Sequence, residues 1–477
     1  VMFEQPCETL DDIAAIRSKH AAPVSVDESL VTLQDATRIA RDGVRVRTET
    51  AGTAALVLVD VALEGPESAG ASVEVLIEDA AGTVATAHGT TDEHGGVQLR
   101  AHVADAALWS AESPALYDLT VTAQSRGEAR DEVTVRTGLR TIEVDSRRGL
   151  LVNGTEVLLR GACVHHDNGP LGAATFAAAE RRRAATLKSA GFNAVRSSHN
   201  PLSRAFLDAC DEIGLYVMDE LTDVWLQHKT PHDEADRFQQ TWRDDADSMV
   251  AKDRNRPSVI MYSLGNEIAE TGRPEGVAAS RELHDYVAAL DPTRPTTLAV
   301  NLLLNMMAAR GKSAFTAQDH AQDGAPAKKQ GPTSTVANMV TARLGRIMNL
   351  VSRLPAADKA SRDAFATVDV AGYNYAYQRY ASDRKKYPER VIVGSESMPG
   401  DLPAIWKRVE EVPGVIGDFR WTGWDYLGET GIGTWSYGDE PGGISKPYPA
   451  LVAGPGAFDI TGLPGAPAML ARAVWDP

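Results

Sequence analysis

SVIMYSLGNEIA, residues 258–269, is the stretch on which the reading of the fold turns. Val259, Ile260, Met261 and Tyr262 make a short apolar run rich in strand formers, bounded by Pro257 before and Gly265 after. That pattern describes a strand buried on both faces and ending at a tight turn. The turn delivers Asn266 and Glu267 at the carboxyl end of the strand, the end at which a barrel of parallel strands gathers its catalytic residues. A carboxylate held there beside an amide suits a general acid tuned by its surroundings. Taken alone, Glu267 also fits the first turn of a following helix, where the helix dipole favours acidic residues. The neighbouring sequence decides between the two.

Outward from this stretch, strand-like and helix-like patterns alternate. The strand-like runs are LLRGACVHH (158–166), NAVRSSH (193–199), LYVMDEL (215–221), SVIMYSLGNE (258–267), TTLAV (296–300), VDVAGYNY (368–375), VIVGSES (391–397) and DFRWTGWDYL (418–427). Amphipathic stretches such as AERRRAATLKSAG, SRAFLDACDEIG and ASRELHDYVAALD lie between them. Eight strands, each but the last followed by a helical pattern, predict a (β/α)8 barrel. One connection is long, 301–368. Its polar centre AQDGAPAKKQGPT reads as a surface loop, and the helix-like TVANMVTARLGRIMNLVSRL is expected to cover the barrel mouth.

Upstream the period changes from helical to alternating. VRVRTET, AALVLVDVAL, ASVEVLIED, GTVATAHGT, GVQLRAHV, LYDLTVTAQ and DEVTVRTG are seven strand patterns at short spacing, which predict a small antiparallel β-sandwich over residues 39–141. The proline-bearing stretch from Trp109 to Tyr117 is a loop within it, and no catalytic cluster appears there. LLVNGTEVLL follows, a hairpin with Asn153-Gly154 as its two-residue turn. Residues 1–38 remain an unassigned leading segment. The expected organisation is therefore a multidomain α and β chain: the sandwich, then a catalytic barrel over 142–477.

Composition bounds the function. Lys plus Arg is 48 and Asp plus Glu is 65, a formal net charge of -17. A field of that sign repels phosphate backbones and anionic lipid, which excludes nucleic acid and membrane surfaces as the expected partners. Cys7, Cys163 and Cys210 are too few and scattered for a disulfide framework or a zinc site; Cys163 and Cys210 read as buried thiols. The opening VMFEQPCETLDD lacks the basic and apolar regions of a signal peptide, and Leu298–Ala309 is too short to span a bilayer. A cytoplasmic enzyme is expected, with homo-oligomer formation left open.

Placed on the strand ends, the polar residues converge. His165, His166 and Asp167 follow the first barrel strand, His199 and Asn200 the second, and Asp219, Glu220 and Asp223 the third. Asn266 and Glu267 follow the fourth, Tyr373, Asn374 and Tyr375 the sixth, Glu396 the seventh, and Trp421, Trp424 and Asp425 the eighth. Singly each has a structural explanation, an Asp before a helix being most often a cap. Together they line one mouth. Carboxylates on strands four and seven face each other across it, as glycosidic cleavage needs: one acid protonates the leaving oxygen while the other attacks the anomeric carbon. The indoles offer flat apolar faces to a sugar ring, and the His and Asn groups hydrogen bonds to its hydroxyls.

The ordered set LLRGACVHHDNGPLG, NAVRSSHNP, LYVMDE, SLGNE, VIVGSES and FRWTGWDYLGE resembles glycoside hydrolase family 2, the β-galactosidase and β-glucuronidase family, from residue 141 to about 463. The resemblance implies that residues 39–141 are the family's immunoglobulin-like domain. It implies Glu267 as the acid/base, Asn266 as the ligand of the sugar 2-hydroxyl, and Glu396 as the nucleophile. It implies a tyrosine bonded to that nucleophile, Tyr375 or its rival Tyr373. It further implies His165 (with His166 competing), His199 and Trp421 as substrate contacts.

Three departures qualify that resemblance. No stretch reads as the jelly-roll domain with which the family usually begins, the chain stops soon after the eighth strand, and DELTDVWLQHK does not carry the magnesium ligands of some members. No metal and no cofactor is therefore expected. The Asn-x-Lys that would hold a uronate is also missing: the single lysine of residues 428–477 is Lys446, two after Ile444, so a neutral sugar is favoured. The expected activity is that of a retaining exo-acting β-glycosidase, foremost a β-galactosidase. The alternatives are another sugar specificity (mannoside, fucoside, glucuronide) and a catalytically weak carbohydrate-binding scaffold.

Overall fold

Alternation along a strand buries one face and wets the other, and the upstream strands obey it. In β6 (Tyr117–Gln124) every second side chain is buried. The computed structural model describes residues 37–65, 67–125, 130–230, 233–312, 349–430, 433 and 449–475. The leading segment to residue 36, the loop 321–333, most of the helix-like piece after it, and Ile444 with Lys446 lie outside the described residues. Strands β1 (Arg38–Ala51), β2 (Ala54–Glu64) and β5 (Gly96–Val103) form one antiparallel sheet in the order β1-β2-β5. The second, in the order β4-β3-β6-β7, contains β3 (Ser72–Asp79), β4 (Gly82–Thr90), β6 and β7 (Arg130–Thr137). Valines 57, 59, 73, 75 and 121 with Leu119 fill the space between the sheets.

A three-stranded sheet of β8 (Ile142–Asp145), β9 (Gly149–Val152) and β10 (Thr155–Val157) comes next. Asn153 and Gly154 join β9 to β10, both at positive φ (53° and 73°), as a two-residue hairpin turn of this twist requires. The chain then closes an eight-stranded parallel barrel: β11 (Leu159–His165), β12 (Ala194–Ser198), β13 (Tyr216–Glu220), β14 (Val259–Asn266), β15 (Thr296–Asn301), β16 (Val370–Asn374), β17 (Val391–Ser397) and β18 (Val415–Arg420). Every residue of β12 to β18 is buried. A parallel strand sandwiched between a barrel core and a helix layer must be so. Phe419 fills the lumen against Gly161, where a Cβ would come within 2.2 Å of its ring.

The eighth strand lies earlier than expected, at 415–420 rather than 418–427. Gly417, at φ 146° and pressed against Leu159, lets Val415 and Ile416 pair early, and the chain leaves the barrel at Trp421. A helix, Ala466–Trp475, also follows this strand, behind a Gly- and Pro-rich stretch that hides its period. Its Trp475 meets the edges of Phe192 and Trp406. Among the described residues no helix is long and apolar enough to cross a membrane.

The sandwich grips the barrel directly. Trp109, in the loop before β6, is fully buried against Tyr216 and donates its indole N–H to the Asp211 carbonyl at 2.9 Å. Lys188 donates to the carbonyls of Ala111 (2.6 Å) and Gly214 (2.7 Å). Arg140 donates to the carbonyls of Pro257 (2.7 Å) and Val259 (2.8 Å), at the start of the strand that ends in Asn266.

Candidate active site

At the carboxyl end of β14 the pairing with β15 breaks step between Ser263 and Asn266. Glu267 takes φ 49° and donates its N–H to the Ala299 carbonyl at 2.8 Å. Trp225 donates to the Leu264 carbonyl at 3.2 Å and Lys229 to that of Asn266 at 2.6 Å, so the loop after β13 holds this turn from outside. Tyr375, just beyond β16, adopts φ 55° and donates its N–H to the Glu396 carbonyl at 2.8 Å. Two left-handed non-glycine residues at one mouth are a local strain that the surrounding bonds sustain.

The two glutamates share a donor. Nδ2 of Asn374 lies 3.2 Å from Oε1 of Glu267 and 3.2 Å from Oε2 of Glu396, which sets those oxygens no more than twice that reach apart. The same nitrogen is 3.0 Å from Asn266 Oδ1, while Asn374 Oδ1 accepts from Ser395 at 2.7 Å. Glu396 also accepts from Arg196 (3.2 Å) and from the Tyr375 hydroxyl. Glu267 accepts from Asn301 Nδ2 at 2.8 Å.

Arg196 is the hub. Fully buried on β12, it donates to Glu220 (2.7 Å), Asn266 Oδ1 (2.9 Å), the Ser395 carbonyl (2.8 Å) and Glu396. Glu220 accepts in addition from Ser263 (2.7 Å) and from His199 Nδ1 (2.7 Å). Burial opposes ionisation of Glu220, but Arg196 and the His199 and Ser263 hydrogen bonds outweigh it and hold the carboxyl down to about 2. Burial likewise opposes charge on His199, and its bond to Glu220 outweighs that and raises it. Glu396 goes the other way. Burial, reinforced by the facing charge of Glu267, lifts it to about 7 against the pull of Arg196, His199 and Tyr375.

One wall of the mouth is aromatic. Trp421 stacks on His199 (5.4 Å between centroids, 3° between planes), and His165 stacks on Tyr426 (3.8 Å, 13°) with its edge to Trp421. Among the described residues His165 Nε2 is buried without a hydrogen-bond partner, and burial with the neighbouring His199 lowers this imidazole well below its ordinary value. Arg183 fastens the segment by donating to the carbonyls of His165 (2.9 Å) and Asp167 (3.0 Å).

The structure therefore gathers His165, His199, Asn266, Glu267, Tyr375, Glu396 and Trp421, and sets five other candidates aside. Tyr373 is a correction: its hydroxyl donates to Asp383 (2.6 Å) in the helix layer and its ring stacks on Phe365, so Tyr375 is the tyrosine on Glu396. Asp219 likewise turns outward, accepting from the Leu202 N–H and Lys252 (2.9 Å each), while its neighbour Glu220 faces the lumen. Trp424 is buried behind the wall against Phe458, with Arg182 and Arg183 over its ring. Asn200 is exposed and bonds only weakly, to the Pro201 carbonyl at 3.4 Å. His166 is half-buried beside Asp167, and burial lowers it. Arg196 and Asn301 were not among the expected site residues, and Asn374 was expected at the mouth without a role, although the run NAVRSSH places an arginine inside a buried strand, where it must be paired. Among the described residues no group of three or more His, Cys, Asp or Glu could hold a metal ion.

Comparison with known proteins agrees with this architecture. The family description "Glycosyl hydrolases family 2, TIM barrel domain" matches residues 142–327, and "Glycosyl hydrolases family 2" matches residues 37–140. A β-galactosidase of Bacteroides ovatus is 36% identical over 225 residues, 41% of this chain and 26% of that protein. A putative β-glucuronidase of Formosa agariphila is 31% identical over 334 residues, 68% of this chain and 31% of that protein. The chain thus spans about a quarter to a third of the length of these curated relatives. A crystal structure of a glycosyl hydrolase family 2 member from Bacteroides cellulosilyticus superposes with a TM-score of 0.76 at 34% identity, covering 92% of this chain and 50% of that one. With both family descriptions matching in turn along the sequence and the fold superposing over 92% of its length, the chain belongs to glycoside hydrolase family 2.

Proposed function

We propose that the chain is a retaining, exo-acting β-glycosidase that removes terminal β-galactosyl groups. The observation that carries this reading is the single Asn374 amide nitrogen reaching both glutamates at 3.2 Å. Two carboxyl oxygens within twice that reach are compatible with the separation of about 5–5.5 Å of a double displacement. Glu396, with Arg196, Asn374 and the Tyr375 hydroxyl as donors, suits the anion that attacks the anomeric carbon. Glu267, which accepts from the Asn301 and Asn374 amides, suits the acid that protonates the departing oxygen and then takes a proton from the water that cleaves the glycosyl ester. The aromatic wall supplies ring contacts and the unpartnered His165 Nε2 a bond for a hydroxyl.

Galactose as the sugar is supported by the name of the Bacteroides ovatus relative. A glucuronide is the second reading, supported by the Formosa agariphila relative, whose match extends over 68% of this chain. A panel of nitrophenyl β-glycosides separates them, with the first-formed anomer read by NMR. Release of galactose as the β-anomer is expected; sole release of glucuronate selects the second reading. Glu396→Ala abolishes turnover, while Glu267→Ala still releases good leaving groups slowly. Wild-type rates in the Glu396 variant, or sugar binding without cleavage of any glycoside, overturn the proposal in favour of a binding scaffold.

A further inference from the structure

Asn301 ends β15 and is 2% exposed, and both ends of its amide are committed. Its Oδ1 accepts the backbone N–H groups of Leu303 (3.1 Å) and Leu304 (3.4 Å), capping the helix Leu302–Ala308. Only an oxygen can satisfy those N–H groups, so the amide is fixed one way round and Nδ2 is turned to Glu267. It meets Oε1 at 2.8 Å, and Asn374 supplies a second N–H to the same oxygen. In a neutral carboxylic acid the carbonyl oxygen is the good acceptor and the hydroxyl oxygen the donor. An oxygen held by two N–H groups is the carbonyl one.

We propose that Asn301 is a positioning residue for the acid: it holds Oε1 of Glu267 as the accepting oxygen and so leaves Oε2 to carry the proton delivered to the leaving group. This rests on Glu267 being the acid/base. As the proton passes from Oε2 to the glycosidic oxygen, the C–O bond to the anomeric carbon breaks and Glu396 forms its own. Glu267 becomes a carboxylate, and the Asn301 hydrogen bond becomes charge-assisted and stronger. A contact that strengthens on the way to the transition state contributes to rate and not merely to binding. In the second half, Oε2 takes the proton back from the attacking water while Asn301 keeps Oε1 in place.

The test compares kcat/KM for phenyl and 2,4-dinitrophenyl β-galactosides, or the β-glucuronides if the panel selects that sugar. Dinitrophenolate departs without a proton, whereas phenolate needs the acid. Asn301→Ala is expected to lose about tenfold or more on the phenyl glycoside and no more than about threefold on the dinitrophenyl one. Asn301→Asp keeps the helix cap, since Asp caps as well as Asn. It sets a carboxylate against Glu267, and the alkaline limb of its phenyl-glycoside profile moves to higher pH. Equal losses on both substrates in the alanine variant, or an unmoved limb in the aspartate variant, overturn the role of Asn301 alone. A wild-type protein that cleaves neither substrate overturns the acid/base assignment and this proposal with it.

Discussion

Arg196 and Glu396 carry the electrostatics of the mouth. Arg196 is the buried cation between two carboxylates, with side-chain exposures of 0% for Arg196 and Glu220 and 5% for Glu396. Removing one partner of such a cluster leaves an uncompensated buried charge, which costs about 3–5 kcal/mol. Arg196→Met should therefore lower the unfolding free energy by that much while also abolishing turnover, read by urea titration and assay. Glu396, lifted to about 7 from an ordinary 4.5, binds a proton in the folded protein that the unfolded chain has released. Its contribution to stability is full below about pH 4.5 and is lost as pH rises through about 7. Burial lifts Asp418 to about 7 in the same sense, whereas the contribution of Glu220 is full above about pH 4.5 and is lost progressively as pH falls through about 2. The loss of stability from pH 5 to pH 8 should thus be smaller in Glu396→Gln than in the native protein by about 1–3 kcal/mol. Paired melts at the two pH values check this, and an unchanged difference refutes it.

At the scale of strands and helices, position along the chain was legible and facing was not. Apolar runs between turn residues located seven of the barrel strands and overlapped the eighth only at 418–420, because a strand buried on both faces has no polar period to confuse it. The same double burial removes the signal that says which side chain enters the lumen. HH and DE each present both parities, and only the barrel register chooses His165 over His166 and Glu220 over Asp219. Tyr373 and Tyr375 share a parity, and it is the left-handed turn at Tyr375 (φ 55°), just past the strand end, that separates them. Asn301 escaped notice because a cap and a catalytic neighbour look alike in a linear text. The tyrosine pair gives a direct measurement. Tyr375→Phe removes a donor from Glu396 and is expected to lower kcat about 10–100-fold with little change in melting. Tyr373→Phe leaves kcat intact and costs about 1–3 kcal/mol of stability, because Asp383 and Arg390 lose a buried partner. The reverse pattern would return Tyr373 to the mouth.

Across the whole molecule, sandwich and barrel meet through buried groups and not through a swivel. Trp109, Arg140 and Lys188 each cross the boundary with direct bonds to backbone carbonyls. Trp109→Ala should cost about 3–5 kcal/mol. It should also let the sandwich melt ahead of the barrel, so that one calorimetric transition becomes two; a single transition at a merely lower temperature would argue that the remaining bonds suffice. Because Arg140 of the linker tethers the root of the strand whose tip is Glu267, anyone cutting this chain at the apparent seam would take a foundation stone away with the annex. The portable unit for grafting or shuffling is the barrel together with the tryptophan loop beneath it, not the barrel by itself.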